Sequence, residues 1–227
     1  MRLHRFIGPF DFNGKTLSVT DTGLINQWKN VLRLKTGDQL ILCDGMGREA
    51  LAEITDADKK EVRLAILEIH TPEREPKKEL TLYCAVLKRE NFELVCQKAT
   101  EIGVARIVPL LSERTVKTGF NKERLEKIIL EASEQSGRTT VPELADPMKF
   151  SEAIERACGP ATVLFDLTGE KIENTQGISN IFIGPEGGFS EQEVALAKEG
   201  DAIIGSLGRL VLRGETAAIA ATFLLAH

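Results

Sequence analysis

The sequence predicts a small β-rich domain followed by a mostly parallel α/β domain, and three observations carry that prediction. Short apolar runs broken by tight-turn signals crowd the first seventy residues. A charged stretch with a proline near each end, residues 70–78, follows them. Beyond it, apolar runs alternate with amphipathic segments that carry helix-cap residues, the mark of a parallel sheet with crossover helices.

The first domain is read over residues 1–72. Leu40-Ile41-Leu42-Cys43 is a strand that ends in the turn pair Asp44-Gly45. Residues 50–54 alternate in part. After the polar turn at residues 56–60, Val62, Leu64 and Ile66 recur at period two. Several short strands with tight turns in so few residues suggest a small barrel. Residues 70–78 have the composition of a linker and place the domain boundary.

The second domain is read over residues 73–227. Residues 80–87 form a strand, and Asn91 is the expected cap of a helix carrying Phe92, Val95, Ala99 and Ile102 on one stripe, ending at Gly103. Residues 107–111 form a strand. Asn121 caps a helix with Leu125, Ile128, Ile129 and Ala132 inward, stopping near Gly137. Ser151 opens a short helix, and residues 162–165 and 181–183 are strands. Ser190 and Glu193 form a capping box for the next helix. Residues 202–204 are a last strand before an alanine-rich helix over 215–225.

Composition narrows the function only a little. The chain has 227 residues and a formal net charge of −5, which argues against a uniformly basic nucleic-acid binder. Residues 1–70 carry about 10 basic and 10 acidic side chains, so any RNA-binding face has to be local. Cys43, Cys84, Cys96 and Cys158 are widely spaced and read as reduced, buried thiols. His4, His70 and His227 are isolated, without metal-ligand spacing, and no metal is expected. No signal-peptide run is read at the start, and the apolar stretch at 217–226 is too short to span a bilayer. The expectation is a cytoplasmic protein without a membrane partner.

Ligands of open α/β sheets bind beyond the carboxyl ends of the strands. Three such ends carry glycine: Phe165-Asp166-Leu167-Thr168-Gly169, Gly184-Pro185-Glu186-Gly187-Gly188 and Gly205-Ser206-Leu207-Gly208-Arg209. Glycine there lets main-chain groups approach a ligand. Neither phosphate-loop pattern is present, and Glu186 puts negative charge among the amides that would cradle a phosphate. An adenosyl ligand bearing a cationic sulfonium meets no such conflict. Asp166-Leu167-Thr168-Gly169, a D-x-x-G without a phosphate loop, reads as a turn. The segment 207–217 runs an apolar loop with Arg209 and Arg213 into the last helix. A helix N-terminus favours anions, so a partner such as Glu215 or a bound anion is expected there.

The residues resemble the RsmE family of 16S rRNA (uracil-N3)-methyltransferases. The resemblance rests on an ordered series. It includes Leu82-Tyr83-Cys84-Ala85-Val86-Leu87-Lys88, Gln97-Lys98-Ala99-Thr100-Glu101-Ile102-Gly103-Val104, Ser112-Glu113-Arg114-Thr115-Val116 and Glu131-Ala132-Ser133-Glu134-Gln135-Ser136-Gly137-Arg138. The glycine loop through Ser190 and the 207–217 segment complete it. In the first domain, residues 30–38 and Asp44-Gly45 match the family's PUA-like domain. Two positions depart from its pattern: Leu210 stands where a second arginine is usual, with Arg209 one position earlier, and Asn30 where a histidine is frequent.

The resemblance implies a SPOUT-type parallel-sheet domain with a C-terminal trefoil knot, a homodimer and S-adenosylmethionine (SAM) as cofactor. It places SAM against Phe165, Gly184, Glu186, Gly187, Leu207, Gly208 and Leu212. The implied substrate is 16S rRNA, within the small ribosomal subunit. Uracil N3 must lose its proton to become a nucleophile, and charge then develops on the uracil oxygens. Arg114 and Arg213 are the candidates for stabilising that charge, with Arg138 third, and Glu186 is the candidate base. Arg2, Arg5, Arg33, Lys88, Arg89, Arg138 and Arg209 are candidate RNA contacts. A non-catalytic RNA-binding protein of the same fold is the competing reading, and SAM affinity separates the two.

Overall fold

A computed structural model describes residues 3–116, 120–157 and 159–226. Arg2, Cys158 and His227 lie outside the described residues. The chain divides into two units, one built from the residues up to Glu75 with Ser133–Thr140, the other from Pro76–Ala132 and the residues from Val141 onward.

The first unit is a five-stranded sheet in the order β1-β3-β4-β5-β2, from β1 (Arg5–Ile7), β2 (Thr16–Val19), β3 (Gln39–Cys43), β4 (Glu49–Ala57) and β5 (Val62–His70). β1 and β3 are parallel, and the other pairs are antiparallel. β3 contains the apolar run read at residues 40–43, and β4 and β5 contain the alternating residues 50–54 and 62–66. β1 and β2 are too short to show a period. Shifts in the β4–β5 register at Leu51/Ala52 and Ile54/Asp56 are bulges that bend the sheet. Asp21 caps α1 (Thr22–Asn26) by accepting from the Leu24 amide at 2.7 Å. A π-helical turn over Gln27–Val31 then buries Trp28 with Phe6, Leu40, Leu42 and Leu64.

Ion pairs tie the residues read as a linker into this unit. Glu49, a buried carboxylate, takes Arg5 at 2.5 Å and Arg74 at 2.6 Å. Glu75 accepts from the amides of Thr139 and Thr140, at 2.7 and 3.1 Å, and pairs with Arg138 at 3.0 Å.

The second unit is a parallel sheet in the order β12-β10-β11-β6-β7-β8, with β9 also on β7. Its strands are β6 (Thr81–Ala85), β7 (Arg106–Leu111), β8 (Glu143–Leu144), β9 (Met148–Lys149), β10 (Thr162–Lys171), β11 (Asn180–Ile183) and β12 (Ile203–Ser206). The helices are α2 (Arg89–Ile102), α3 (Lys122–Ser136, whose end belongs to the first unit), α4 (Phe150–Arg156), α5 (Glu191–Glu199) and α6 (Gly214–Ala226). Both faces of the sheet are covered. Leu82 and Cys84 of β6 pack with α2 and α6, while Tyr83 and Ala85 pack with α4 and α5. Tyr83 stacks on Phe182 with ring centroids 4.4 Å apart.

The helix ends test the cap readings. Asn121 accepts from the Arg124 amide at 2.9 Å, and Ser190 and Glu193 make the reciprocal capping box, both as expected. At α2 the expectation fails. The helix already begins at Arg89 with Lys88 at the cap position, and Asn91 lies inside its first turn. The buried run of β6 continues through Leu87, so the chain turns into the helix as soon as that run ends. Gly103 ends α2 at φ +111°, and a Cβ there would stand 2.3 Å from Pro76 Cγ. Cys43, Cys84 and Cys96 are buried free thiols.

Candidate functional site

The strand order sets residues 165–168, midway along β10, between the carboxyl ends of β11 and β12. They surround a cavity of about 400 Å³ within the second unit. Phe165, Ile183, Leu207, Leu212 and Ala217 give it an apolar lining. Gly184, Glu186, Gly187 and Gly208 lie along it, and Arg114 enters from the turn after β7. All seven positions assigned to a cofactor in the sequence therefore border one cavity.

The three glycine-bearing ends are not equivalent. After Phe165 the β10–β12 pairing stops and resumes at Glu170 opposite Gly205, so residues 166–169 form an excursion within one long strand. Asp166-Leu167-Thr168-Gly169 is therefore not a turn between elements. Asp166 Oδ1 accepts from the Thr168 amide at 2.9 Å and its hydroxyl at 2.6 Å, and Asp166, Leu167 and Thr168 line the cavity. A Cβ on Gly169 would lie 2.5 Å from the Gly205 carbonyl carbon and oxygen. That glycine permits one strand to pass another, which is a different use from contact with a ligand.

The β11 end is a tight loop, with Gly188 at φ +68° and its amide donating to the Pro185 carbonyl at 2.8 Å. Arg114 Nη1 donates to the Gly187 carbonyl at 2.8 Å and to the Phe189 carbonyl at 3.2 Å. Glu186 is exposed. Burial first, then the charges of Cys96 and Glu186, push the Cys84 thiol well up, so that buried group stays neutral. The β12 end turns at Gly208, at φ +127°, with the Ser206 hydroxyl bonding both its amide and its carbonyl.

Arg114 is therefore brought to the glycine loop. Arg213 and Arg209 are exposed and lie outside the cavity lining. Glu215 does not form the ion pair expected for them. It is buried in the first turn of α6, and its Oε2 has no hydrogen-bond partner among the described residues. A short carboxylate held inward by its own helix cannot reach arginines that project outward from the preceding loop.

Of the remaining cations, Arg33 is exposed at φ 58°, and Lys88 and Arg89 are exposed at the start of α2. Arg89 shares Glu93 with Arg124, whose hydrogen bond leads in holding the Glu93 carboxyl down at about 2. Arg5 and Arg138 are committed to Glu49 and Glu75, with their side chains 9% exposed, which removes them from the surface charge a phosphate could meet. Asp166, Thr168, Pro185, Phe189, Ser206 and Val211 line the cavity and were not singled out as cofactor contacts. Their place after the strands is the signal in the sequence that points to them.

Comparison with known proteins agrees with this geometry. A family model described as an RNA methyltransferase domain matches residues 73–226, and one described as an RNA methyltransferase PUA domain matches residues 29–67. The chain is 35% identical to the ribosomal RNA small subunit methyltransferase E of Rickettsia conorii, over 85% of this chain and 82% of that one. It is 32% identical to the protein of the same name from Bacillus subtilis, over 83% of this chain and 81% of the other. The crystal structure of the Neisseria gonorrhoeae ribosomal RNA small subunit methyltransferase E bound to S-adenosyl methionine superposes with a TM-score of 0.91 at 29% identity, covering 99% of this chain and 97% of that one. A Legionella pneumophila putative methyltransferase in complex with SAM superposes with a TM-score of 0.89 at 33% identity, over 99% and 97% of the two chains. With its SPOUT-type α/β domain and its PUA-like domain, this chain belongs to the ribosomal RNA small subunit methyltransferase E family.

Proposed function

We propose that this protein transfers the methyl group of SAM to N3 of a uridine in the 16S rRNA of the small ribosomal subunit. The observation that carries the reading is the cavity where β11 and β12 end on either side of the β10 excursion. Its size suits a cofactor-sized ligand. Its apolar walls suit an adenine, and Gly208, where a Cβ would meet nothing within 4 Å, leaves room for close main-chain contact. Glu186 at its edge disfavours a phosphate and tolerates a sulfonium. The residues present therefore fit SAM, with Phe165, Gly184, Glu186, Gly187, Leu207, Gly208 and Leu212 holding it. SAM supplies an electrophilic methyl group.

The chain's own residues have three tasks. Glu186, exposed at the cavity edge, takes the N3 proton. Arg114, and Arg213 from the loop before α6, offset the negative charge that spreads to the uracil oxygens. The pocket orients a base drawn out of its stack beside the methyl donor. Arg33, Lys88, Arg89 and Arg209 are the exposed cations assigned to the RNA backbone, together with Arg2. The domain over residues 1–72 contributes RNA contacts and that over 73–227 the transfer, with its C-terminal crossovers threaded as a trefoil knot.

The active form is a homodimer in the cytoplasm. α6 is apolar on nearly every side, with Phe223 60% and Leu224 40% exposed, and such a helix calls for a cover that a second copy supplies. Phe223→Asp is expected to shift sedimentation from dimer to monomer. No described helix is long and apolar enough to cross a membrane.

The decisive experiment incubates the purified protein and labelled SAM with small subunits that lack the modification. Nucleoside mass spectrometry is expected to show 3-methyluridine in 16S rRNA. Undiminished SAM binding without methyl transfer to RNA would instead support a binding protein of this fold.

A further inference from the structure

The capping box of α5 does more than start a helix. Glu193 is buried, and its two carboxylate oxygens serve two different segments. Oε2 accepts from the Ser190 amide at 2.9 Å, which is the ordinary capping contact. Oε1 accepts from the Glu113 amide at 2.9 Å, eighty residues away in sequence, in the turn after β7. That turn is closed by the Ser112 amide donating to Thr115 Oγ1 at 3.0 Å and by contact between the two hydroxyls at 2.9 Å. From the same turn, Arg114 returns to the Gly187 and Phe189 carbonyls.

Two polypeptide segments are thus joined by a closed ring. Glu193 binds the turn at Glu113, the turn carries Arg114, Arg114 grips the glycine loop, and the loop leads through Ser190 back to Glu193. Helix capping needs only the Ser190 side of this arrangement. The Glu113 contact adds nothing to the helix but fixes where Arg114 stands relative to the cavity wall.

We infer that Glu193 is a positioning residue for methyl transfer, acting through Arg114 by locking the Ser112–Thr115 turn to the Gly187–Phe189 segment. Glu193 does not line the cavity. This inference rests on the methyl-transfer reading for its kinetic consequence, while the lock itself is measurable without it.

The test compares Glu193→Asp with Ser190→Ala in the full-length protein. Aspartate keeps a carboxylate in the first turn of α5 but is shorter by one carbon, about 1.5 Å, and loses Glu113. The expected result is amide exchange at Glu113 faster by about 10-fold or more. A misplaced group costs up to about 100-fold in rate, so kcat is expected to fall about 10-fold while the SAM dissociation constant changes less than about 3-fold. Ser190→Ala removes the side-chain cap, lowers thermal stability and keeps kcat within about 2-fold. Glu193→Asp combined with Arg114→Ala is expected to be no slower than Arg114→Ala alone, because a residue acting through another shows no additive loss.

Equal kcat losses in Glu193→Asp and Ser190→Ala would reduce Glu193 to a helix cap and overturn the inference. So would unchanged exchange at Glu113, or fully additive losses in the double variant. A wild-type protein that transfers no methyl group, yet shows the exchange change at Glu113, would sink the functional reading and leave the lock standing.

Discussion

Two groups of arginines, one in each unit, are used in opposite ways. In the first, Arg5 and the more exposed Arg74 converge on the buried Glu49, and Arg138 is held by Glu75, so each of these charges is matched by a carboxylate. In the second, Arg114 at the cavity donates to main-chain carbonyls, and Arg209 and Arg213 in the loop before α6 are exposed, with no carboxylate paired to any of the three among the described residues. A carbonyl fixes an arginine without neutralising it, whereas a carboxylate cancels its charge. The difference separates cations that hold the fold from cations left able to meet a negative charge.

Removing Glu49 puts the first half of this contrast to its strongest test. Glu49→Ala strands a buried guanidinium, and breaking a buried pair from one side costs about 3 kcal/mol. Trp28, the single tryptophan, lies in the first unit's core, so its fluorescence in a urea titration follows that unit. SAM affinity, a property of the second unit, is expected to stay within about 2-fold. A Trp28 midpoint that does not move would mean that Glu49 contributes no net stability.

Arg114→Ala probes the other half. Its loss is expected to lower kcat about 100-fold, roughly 2.7 kcal/mol, with the Trp28 transition unchanged. Arg213→Ala is expected to cost about 10-fold by the same assay. If both variants keep full transfer, the uncancelled charges of Arg114 and Arg213 have no catalytic use.

Gly208→Ala tests the cavity wall without touching charge. A Cβ there meets no protein atom within 4 Å, so within the chain itself the penalty is the φ of +127°. A backbone cost of about 1.4 kcal/mol corresponds to a SAM dissociation constant raised about 10-fold in calorimetry.

The smallest effect is expected at Glu75. Burial works to raise its carboxyl, but the Thr139 amide, Arg138 and the Thr140 amide outweigh burial and hold it below the ordinary 4.5. A depressed folded value means that its stabilisation is complete above about pH 4.5 and is lost as the pH falls through the folded value. Glu75→Gln should therefore lie below wild type in urea midpoint at pH 7 and converge with it toward pH 3. A constant gap across that range would remove ionisation from the role of Glu75.

Much of the architecture was legible because it depends on local periodicity. The buried alternation of Leu82 and Cys84 against Tyr83 and Ala85, the Ser190–Glu193 box and the Asn121 cap are each written in a few neighbouring residues. The glycines after β11 and β12 marked the cavity for the same reason, since strand ends and tight turns are short-range features. Asn91 failed as a cap because propensity ranks residues, while the end of the buried β6 run decides where the helix starts.

By itself, the sequence determined the α/β alternation, the glycine-bearing strand ends and the inventory of charged groups. Only the tertiary structure decided what each group faces. It placed Glu49 against Arg5 across forty-four residues, set Gly169 against the Gly205 backbone, and turned one oxygen of Glu193 toward Glu113. Those outcomes follow from strand order and register. A hydrogen bond or ion pair depends on distances of a few ångströms that no local pattern of residues encodes.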